Sequence, residues 1–154
     1  MTEPTAAIEP AALGRNGCPA APSERFLRGL GCLKELDPAL ADRLCTSLAD
    51  VAPDFATYAV EFPFGDIYAR PGLDLKTRQM VTVAALTALG HTPAQLKIHI
   101  GAALNVGCSK DEIVEAVMQI AVYAGFPAAL NGLAVLKEVL ATSAASNEAA
   151  PSDS

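Results

Sequence analysis

The 154 residues include two histidines, and one of them, His99, stands in the middle of a helix-like stretch from Thr92 to Gly107. Imidazole is the side chain whose ordinary pKa lies nearest neutrality, which makes His99 the first candidate for acid or base chemistry. A single histidine on an apolar helix is, however, more often a packed core residue. Position alone favours core packing.

Helical periodicity places His99 at the edge of that core. The apolar stripe of its helix consists of Leu96, Ile100, Ala103 and Leu104. Gln95 and His99 lie four residues apart on the flank of the stripe. We expect His99 to border the core rather than face open water.

The next helix carries a polar stripe of Glu115, Gln119 and Tyr123, each four residues from the last. The stripe is either a solvated face, which is the more frequent case, or one wall of a cleft opposite His99. A very short turn joins this helix to the His99 helix and predicts antiparallel packing of the two. That packing makes the cleft geometrically possible.

Helix signals recur through the rest of the chain, and almost nothing resembles a strand. The predicted fold is all-α, a compact bundle of about six to seven helices. The expected starts of these helices are Ser23, Asp37-Pro38, Pro53-Asp54, Asp74, a capping box at Thr92–Gln95, a second at Ser109–Glu112, and the segment after Pro127. Pro63 and Gly65 should kink or split the third helix. The fourth ends at Gly90, and its segment VTVAALTAL should be enclosed by other helices.

Composition predicts a flexible N-terminal arm over residues 1–22, a helical domain over 23–141 and a disordered tail over 142–154. The net charge of −6 argues against nucleic acid as a partner. The absence of a long apolar run or a signal-like start predicts no membrane association and a cytoplasmic protein.

The four cysteines are predicted to be free thiols, because they form no CxxC pair and have no zinc-like spacing to a histidine. Cys32 and Cys45 fall in apolar helical patterns, where small core residues are expected. No metal site is predicted.

Three segments in order resemble the carboxymuconolactone decarboxylase family, closest to its γ-carboxymuconolactone decarboxylase branch. They are FGDIYARPGLDLKTRQMVTVAALTALG, QLKIHIGAALNVG and DEIVEAVMQIAVYAGFPAALNGL, within a match of roughly residues 53–140. The resemblance implies an all-helical subunit assembled as a trimer or hexamer, with a pocket near the helix that carries His99.

A second branch of the family, similar to alkyl hydroperoxidase D, uses a glutamate, a CxxC pair and a histidine. Aligned on His99, its two cysteines fall on Thr92 and Gln95, and its glutamate falls at about Gln79. Without paired thiols there is no dithiol to exchange electrons, so thiol peroxidase chemistry of that type is disfavoured.

The decarboxylase branch implies release of CO2 from a small lactone carboxylic acid of aromatic-compound breakdown, with no metal, flavin or pyridoxal cofactor. Arg70 or Arg78 would bind the carboxylate, together with Gln95, and His99 would donate the proton. Glu115 would orient His99 or raise its pKa, and Tyr123 would donate to the developing oxyanion.

Each of these residues also has an ordinary structural explanation. The arginines suit surface ion pairs, Glu115 suits a solvated position and Tyr123 suits packing at an interface. The alternative function is a small-molecule-binding or assembly protein on the same scaffold, without thiol peroxidase activity.

Overall fold

A computed structural model describes Gly14 and residues 17–148. In this part of the chain the structure has seven α-helices and one π-helix, which confirms the all-α prediction. The helices are α1 (Glu24–Leu36), α2 (Leu40–Leu48), α3 (Pro53–Val60), the π-helix (Glu61–Tyr68), α4 (Leu75–Leu89), α5 (Pro93–Asn105), α6 (Lys110–Ala124) and α7 (Phe126–Glu148). They form two compact units, which meet in sequence at Arg70 and Pro71.

The predicted domain of residues 23–141 spans both units, and its boundaries stay a prediction. Most of the predicted N-terminal arm lies outside the described residues. In the predicted tail, residues 142–148 continue α7, and residues 149–154 lie outside the described part of the chain.

The first unit is built on a close approach between α1 and the π-helix. Ser23 caps α1 as predicted, because its hydroxyl accepts a hydrogen bond from the backbone N–H of Phe26 at 3.0 Å. A Cβ atom added to Gly29 of α1 would lie 2.4 Å from the carbonyl oxygen of Val60, which shows that no side chain fits there. The segment predicted to kink or split at Pro63 and Gly65 changes from α-helix to π-helix at Glu61 and continues through both residues to Tyr68.

A disulfide joins Cys18 to Cys45, so the prediction of four free thiols is wrong for these two residues. Cys45 does lie on the buried face of α2, as its apolar pattern indicated, but the segment before α1 packs against that face. An added Cβ on Gly17 would be 2.9 Å from the carbonyl oxygen of Cys45, which shows how close the two segments are. Cys32 and Cys108 form no disulfide among the described residues.

In the second unit, α4 and α6 have the predicted capping signals. The Asp74 carboxylate accepts from the N–H of Thr77 at 2.7 Å, and Ser109 and Glu112 form a reciprocal capping box. The predicted box at Thr92 is wrong. Its hydroxyl donates instead to the carbonyl oxygen of Leu86 at 3.3 Å, and Pro93 alone marks the start of α5.

The core of the second unit lies around α4 and α7, each of which packs against both α5 and α6. Its fully enclosed side chains include Val83, Ile100, Ile113 and Val117. Among the described helices of this unit, only α5 and α6 lack an extensive mutual contact. The predicted packing of these two helices against each other is therefore wrong, and each packs on α4 and α7 instead.

Two further sequence expectations are corrected. Helix α2 begins at Leu40 rather than at Asp37-Pro38, because Asp37 ends α1 and its carboxylate accepts from the N–H of Ala39. The segment VTVAALTAL is not enclosed in the single chain, since Val81 and Leu89 are more than half exposed.

Helix α7 contains one stretch, Phe126–Ala145, that is long and apolar enough to cross a membrane by length and composition. Core helices meet the same criterion, and α7 buries Ala129, Leu136 and Val139. The criterion alone is therefore weak support for a membrane span.

Candidate active site

His99 on α5 is paired with Gln79 on α4. The Nδ1 atom of His99 lies 2.9 Å from Oε1 of Gln79. An amide oxygen can only accept a hydrogen bond, so Nδ1 of His99 is the donor and carries a proton. In the neutral ring the lone pair is then on Nε2, which becomes the nitrogen available to take up or release a proton.

His99 lies at the border of the core, as its flank position predicts. Burial lowers the pKa of His99, because removal from water disfavours the charged ring. The imidazole is therefore neutral at pH 7 in the free protein. The ring must therefore take up a proton before it can donate one.

Gln79 belongs to the buried face of α4, together with Val83 and Thr87, each four residues from the last. Gln79 is fully enclosed, at 0% exposure, and its Nε2 atom has no hydrogen-bond partner in the described part of the chain. The hydroxyl of Thr87 is likewise buried without a partner. Two of the three positions in this stripe thus carry polar groups whose hydrogen bonding is incomplete.

A small cavity lies beside Thr87, lined by residues of α4, α5 and α7 that include Thr92, Leu96 and Gly132. Its lining does not include His99.

Glu115 lies in a separate, open groove between α4 and α6. Met80 of α4 lines this groove together with Glu115 and Gln119. Met80 and Gln79 are consecutive on α4, and successive helical residues point in directions about 100° apart. The groove and the Gln79–His99 pair therefore lie on different sides of α4, and within the described residues Glu115 makes no hydrogen bond to His99.

Tyr123 and Gln95 are both exposed. Tyr123 is 80% exposed near the end of α6, and Gln95 lies one turn before His99 on α5. In the part of the chain that the structure describes, neither side chain makes a hydrogen bond. The polar stripe on α6 is thus exposed to solvent in the single chain.

The two arginines lie in different units. Arg70 is the last residue of the first unit and is exposed. Arg78 lies in the second unit, in the first turns of α4, where its Nε donates to the carbonyl oxygen of Leu73 at 3.2 Å. Arg78 is thus next in sequence to Gln79, on the helix that contacts His99.

The sequence did not identify Gln79 as a site residue. It appeared only as the position that aligns with the hydroperoxidase glutamate. Its spacing of four from Val83 and eight from Thr87 could have placed it on the buried face of α4. A polar side chain on such a face is the signal that was available.

Cys108 and the acidic residues of the described chain show no second reactive centre. Burial raises the pKa of the Cys108 thiol, which makes it a poor nucleophile at neutral pH. No group of three or more potential metal ligands occurs among the described residues.

Comparison with known proteins identifies the scaffold. Residues 53–138 match the carboxymuconolactone decarboxylase family. The chain is 35% identical to 4-carboxymuconolactone decarboxylase of Acinetobacter baylyi over 117 residues, which cover 75% of this chain and 87% of that protein. It is 31% identical to an uncharacterised 15.0 kDa protein of Paracoccus denitrificans, over 70% of this chain and 81% of the relative.

A third relative has another substrate in its name. It is the nitrosuccinic acid decarboxylase of Metarhizium robertsii, which is 33% identical over 81 residues, or 52% of this chain and 55% of the relative. Two of these three relatives are thus named for the removal of CO2 from a small carboxylic acid. By its match over residues 53–138 and its similarity to these proteins, the chain belongs to the carboxymuconolactone decarboxylase family.

Proposed function

We propose that this protein is a cofactor-independent decarboxylase of a small lactone carboxylic acid formed in the breakdown of aromatic compounds. The observation that carries the proposal is the pairing of His99 with Gln79, which leaves Nε2 of a neutral, partly buried imidazole as a proton acceptor. The similarity to 4-carboxymuconolactone decarboxylase supports the substrate class. The name of the third relative supports the same reaction on a different acid.

The reaction needs one proton in each turnover. The substrate carboxylate loses CO2, and the electron pair of the broken carbon–carbon bond moves into the conjugated system as far as the lactone carbonyl oxygen. This conjugated carbonyl is the electron sink, so the chemistry requires no metal, flavin or pyridoxal. A proton then adds to carbon and completes the product.

His99 supplies that proton in our proposal. In the free protein burial keeps the ring neutral, but an anionic substrate close to Nε2 favours the imidazolium, so binding is accompanied by uptake of a proton from solvent. After CO2 leaves, Nε2 gives the proton to carbon and His99 returns to its neutral form. In total, the reaction consumes one substrate carboxylate and one proton, and it forms one C–H bond and one CO2.

The other predicted site residues keep their proposed roles. Arg78 is favoured over Arg70 for the carboxylate, because it lies on α4 beside Gln79, and Gln95 is proposed to assist one turn from His99. Glu115, which lies on the other side of α4 from its own His99, is proposed to help position the ring in a neighbouring subunit, and Tyr123 to stabilise the oxyanion. Both are exposed in the single chain, so their roles require that another subunit cover them.

We propose that the protein is a homo-oligomer, as a trimer or hexamer. Support comes from an exposed apolar strip at the end of α6 and the start of α7, which consists of Met118, Val122, Phe126 and Leu130. All four side chains are at least half exposed in the single chain. Apolar side chains exposed together in this way are typical of a protein–protein interface. We further propose a cytoplasmic enzyme that binds neither nucleic acid nor membrane.

The test of this function is decarboxylation by the purified protein after treatment with EDTA and with no cofactor added. We expect 4-carboxymuconolactone to be consumed, with one CO2 released per molecule. Binding of the lactone without release of CO2 would instead favour the small-molecule-binding alternative. Activity that requires an added metal or organic cofactor would contradict the cofactor-independent mechanism.

A further inference from the structure

We propose that Gln79 is a positioning residue that holds the Nδ1–H tautomer of His99 and so assigns proton exchange to Nε2. Its catalytic meaning rests on the function proposed above, but the tautomer itself is a property of the resting protein. The geometry is direct, because Oε1 of Gln79 lies 2.9 Å from Nδ1 of His99 and can only accept from it.

An amide at this position adds little net stability to the fold. The Nε2 group of Gln79 is buried without a partner, which costs about 1–3 kcal/mol, whereas the hydrogen bond from His99 contributes about 0.5–1.5 kcal/mol. An apolar side chain of similar size, such as methionine, would avoid the unpaired donor. The amide is therefore better explained by its hydrogen bond with the ring of His99.

The amide oxygen of Gln79 is an uncharged acceptor, and this affects the protonation of His99. Up to Ala145, the charged residues on α5 and on the helices packed against it are Lys97 on α5, Lys76 and Arg78 on α4, and Lys137 and Glu138 on α7. The low pKa of His99 is caused by burial and by none of these groups. A carboxylate at residue 79 would instead stabilise the imidazolium. An amide fixes the ring while leaving it neutral before substrate arrives.

The experiment compares Gln79→Met and Gln79→Glu with a matched control, Thr87→Val. Thr87 is on the same face of α4 and also has a buried, unpaired polar group, but it has no hydrogen bond to His99. Nitrogen NMR of the His99 ring reports its tautomer and its pKa without any need for turnover. Urea unfolding of each variant reports stability.

We expect wild type and Thr87→Val to show a protonated Nδ1 and an unprotonated Nε2 in the neutral ring. Gln79→Met should fold with equal or greater stability, lose this preference, and lower kcat on the order of 10- to 100-fold. Gln79→Glu should keep the proton on Nδ1 and raise the pKa of His99 by roughly one to three pH units. The pH at which kcat/KM begins to fall should rise together with the pKa of His99.

An unchanged His99 tautomer in a folded Gln79→Met protein would overturn the inference. So would an unchanged pKa of His99 in Gln79→Glu. Failure of the proposed function gives a different pattern, since wild type would then not release CO2 while the NMR signals of His99 still depended on residue 79. The two failures are therefore distinguishable.

Discussion

His99 and Gln79 lie 20 residues apart in sequence, and their side chains meet between α5 and α4, with Nδ1 of the histidine 2.9 Å from Oε1 of the glutamine. This contact assigns the proton of the neutral ring to Nδ1. It also turns a lone helical histidine into an oriented acid–base group. The oriented Nε2 atom is the basis of the proposed reaction.

Folding stability should depend on pH through His99. Burial lowers the folded-state pKa below the ordinary value of 6.5, so the unfolded chain binds more protons as the pH falls through about 6.5. Stability should therefore fall with decreasing pH in the window between 6.5 and the folded-state pKa, by at most about 1.4 kcal/mol per pH unit. Urea unfolding at a series of pH values from about 7 to 5 measures this slope.

Four hydrogen-bonded carboxylates affect folding stability at lower pH than His99 does. The pKa values of Asp37, Asp66, Asp74 and Glu112 are lowered by their hydrogen bonds, so these groups become protonated only at more acidic pH.

Two variants test the contribution of His99. His99→Gln should flatten the dependence of stability on pH between pH 6.5 and the folded-state pKa of His99. His91→Ala, at an exposed turn residue, should retain it. An equal slope in wild type and His99→Gln would contradict the assignment.

Two glycines of α1 should respond oppositely to alanine. At Gly29 an added Cβ would lie 2.4 Å from the carbonyl oxygen of Val60, whereas at Gly31 it would meet no atom within 4 Å. Gly29→Ala should destabilise the protein by about 1–3 kcal/mol through overpacking. Gly31→Ala should stabilise it by about 0.5–1 kcal/mol through helix propensity. Thermal unfolding of both variants checks the prediction, and a neutral Gly29→Ala would contradict the close packing.

The Cys18–Cys45 disulfide should stabilise the first unit. It closes a loop across 27 positions of sequence, and restricting the unfolded chain in this way contributes about 2–4 kcal/mol. Cys18→Ser should therefore lower the unfolding midpoint in the absence of reductant, and reductant should bring wild type to the same midpoint. Cys32→Ser serves as the control because Cys32 forms no disulfide in the described part of the chain. Equal midpoints for wild type with and without reductant would refute this role.

The apolar strip should hold the oligomer together. Val122 is 76% exposed at its centre, so Val122→Asp would place a charge in the proposed interface. We expect this variant to shift toward the monomer in size-exclusion chromatography with light scattering. Val51→Asp, at an equally exposed apolar residue outside the strip, should leave the mass unchanged. A monomeric wild-type protein, or an unaltered mass for Val122→Asp, would contradict the interface.

Local signals predicted much of the helical architecture. Ser23, Asp74 and Ser109 cap their helices because short polar side chains satisfy backbone N–H groups within the same turn, which sequence alone can indicate. The Cys18–Cys45 pair and the separation of α5 from α6 depend on contacts distant in sequence. No local pattern specifies such contacts.

The same distinction applies to the site. The flank position of His99 followed from helical period, and its partner required the packing of α4 against α5. Gln79 was noted only as the position that aligns with the hydroperoxidase glutamate, although its side chain is enclosed. The roles of Arg70, Arg78, Gln95, Glu115 and Tyr123 stay predictions.

The most direct test of the proposed role of His99 is the pH dependence of kcat/KM for 4-carboxymuconolactone in wild type, His99→Ala and His91→Ala. Because the free ring is neutral and must take up one proton, wild-type kcat/KM should fall about tenfold per pH unit above the lowered pKa of His99. His91→Ala should reproduce this profile. His99→Ala should lose activity on the order of 10²- to 10⁴-fold while it retains its oligomeric mass. Wild-type turnover with the same pH profile in His99→Ala would contradict the proposed role of His99.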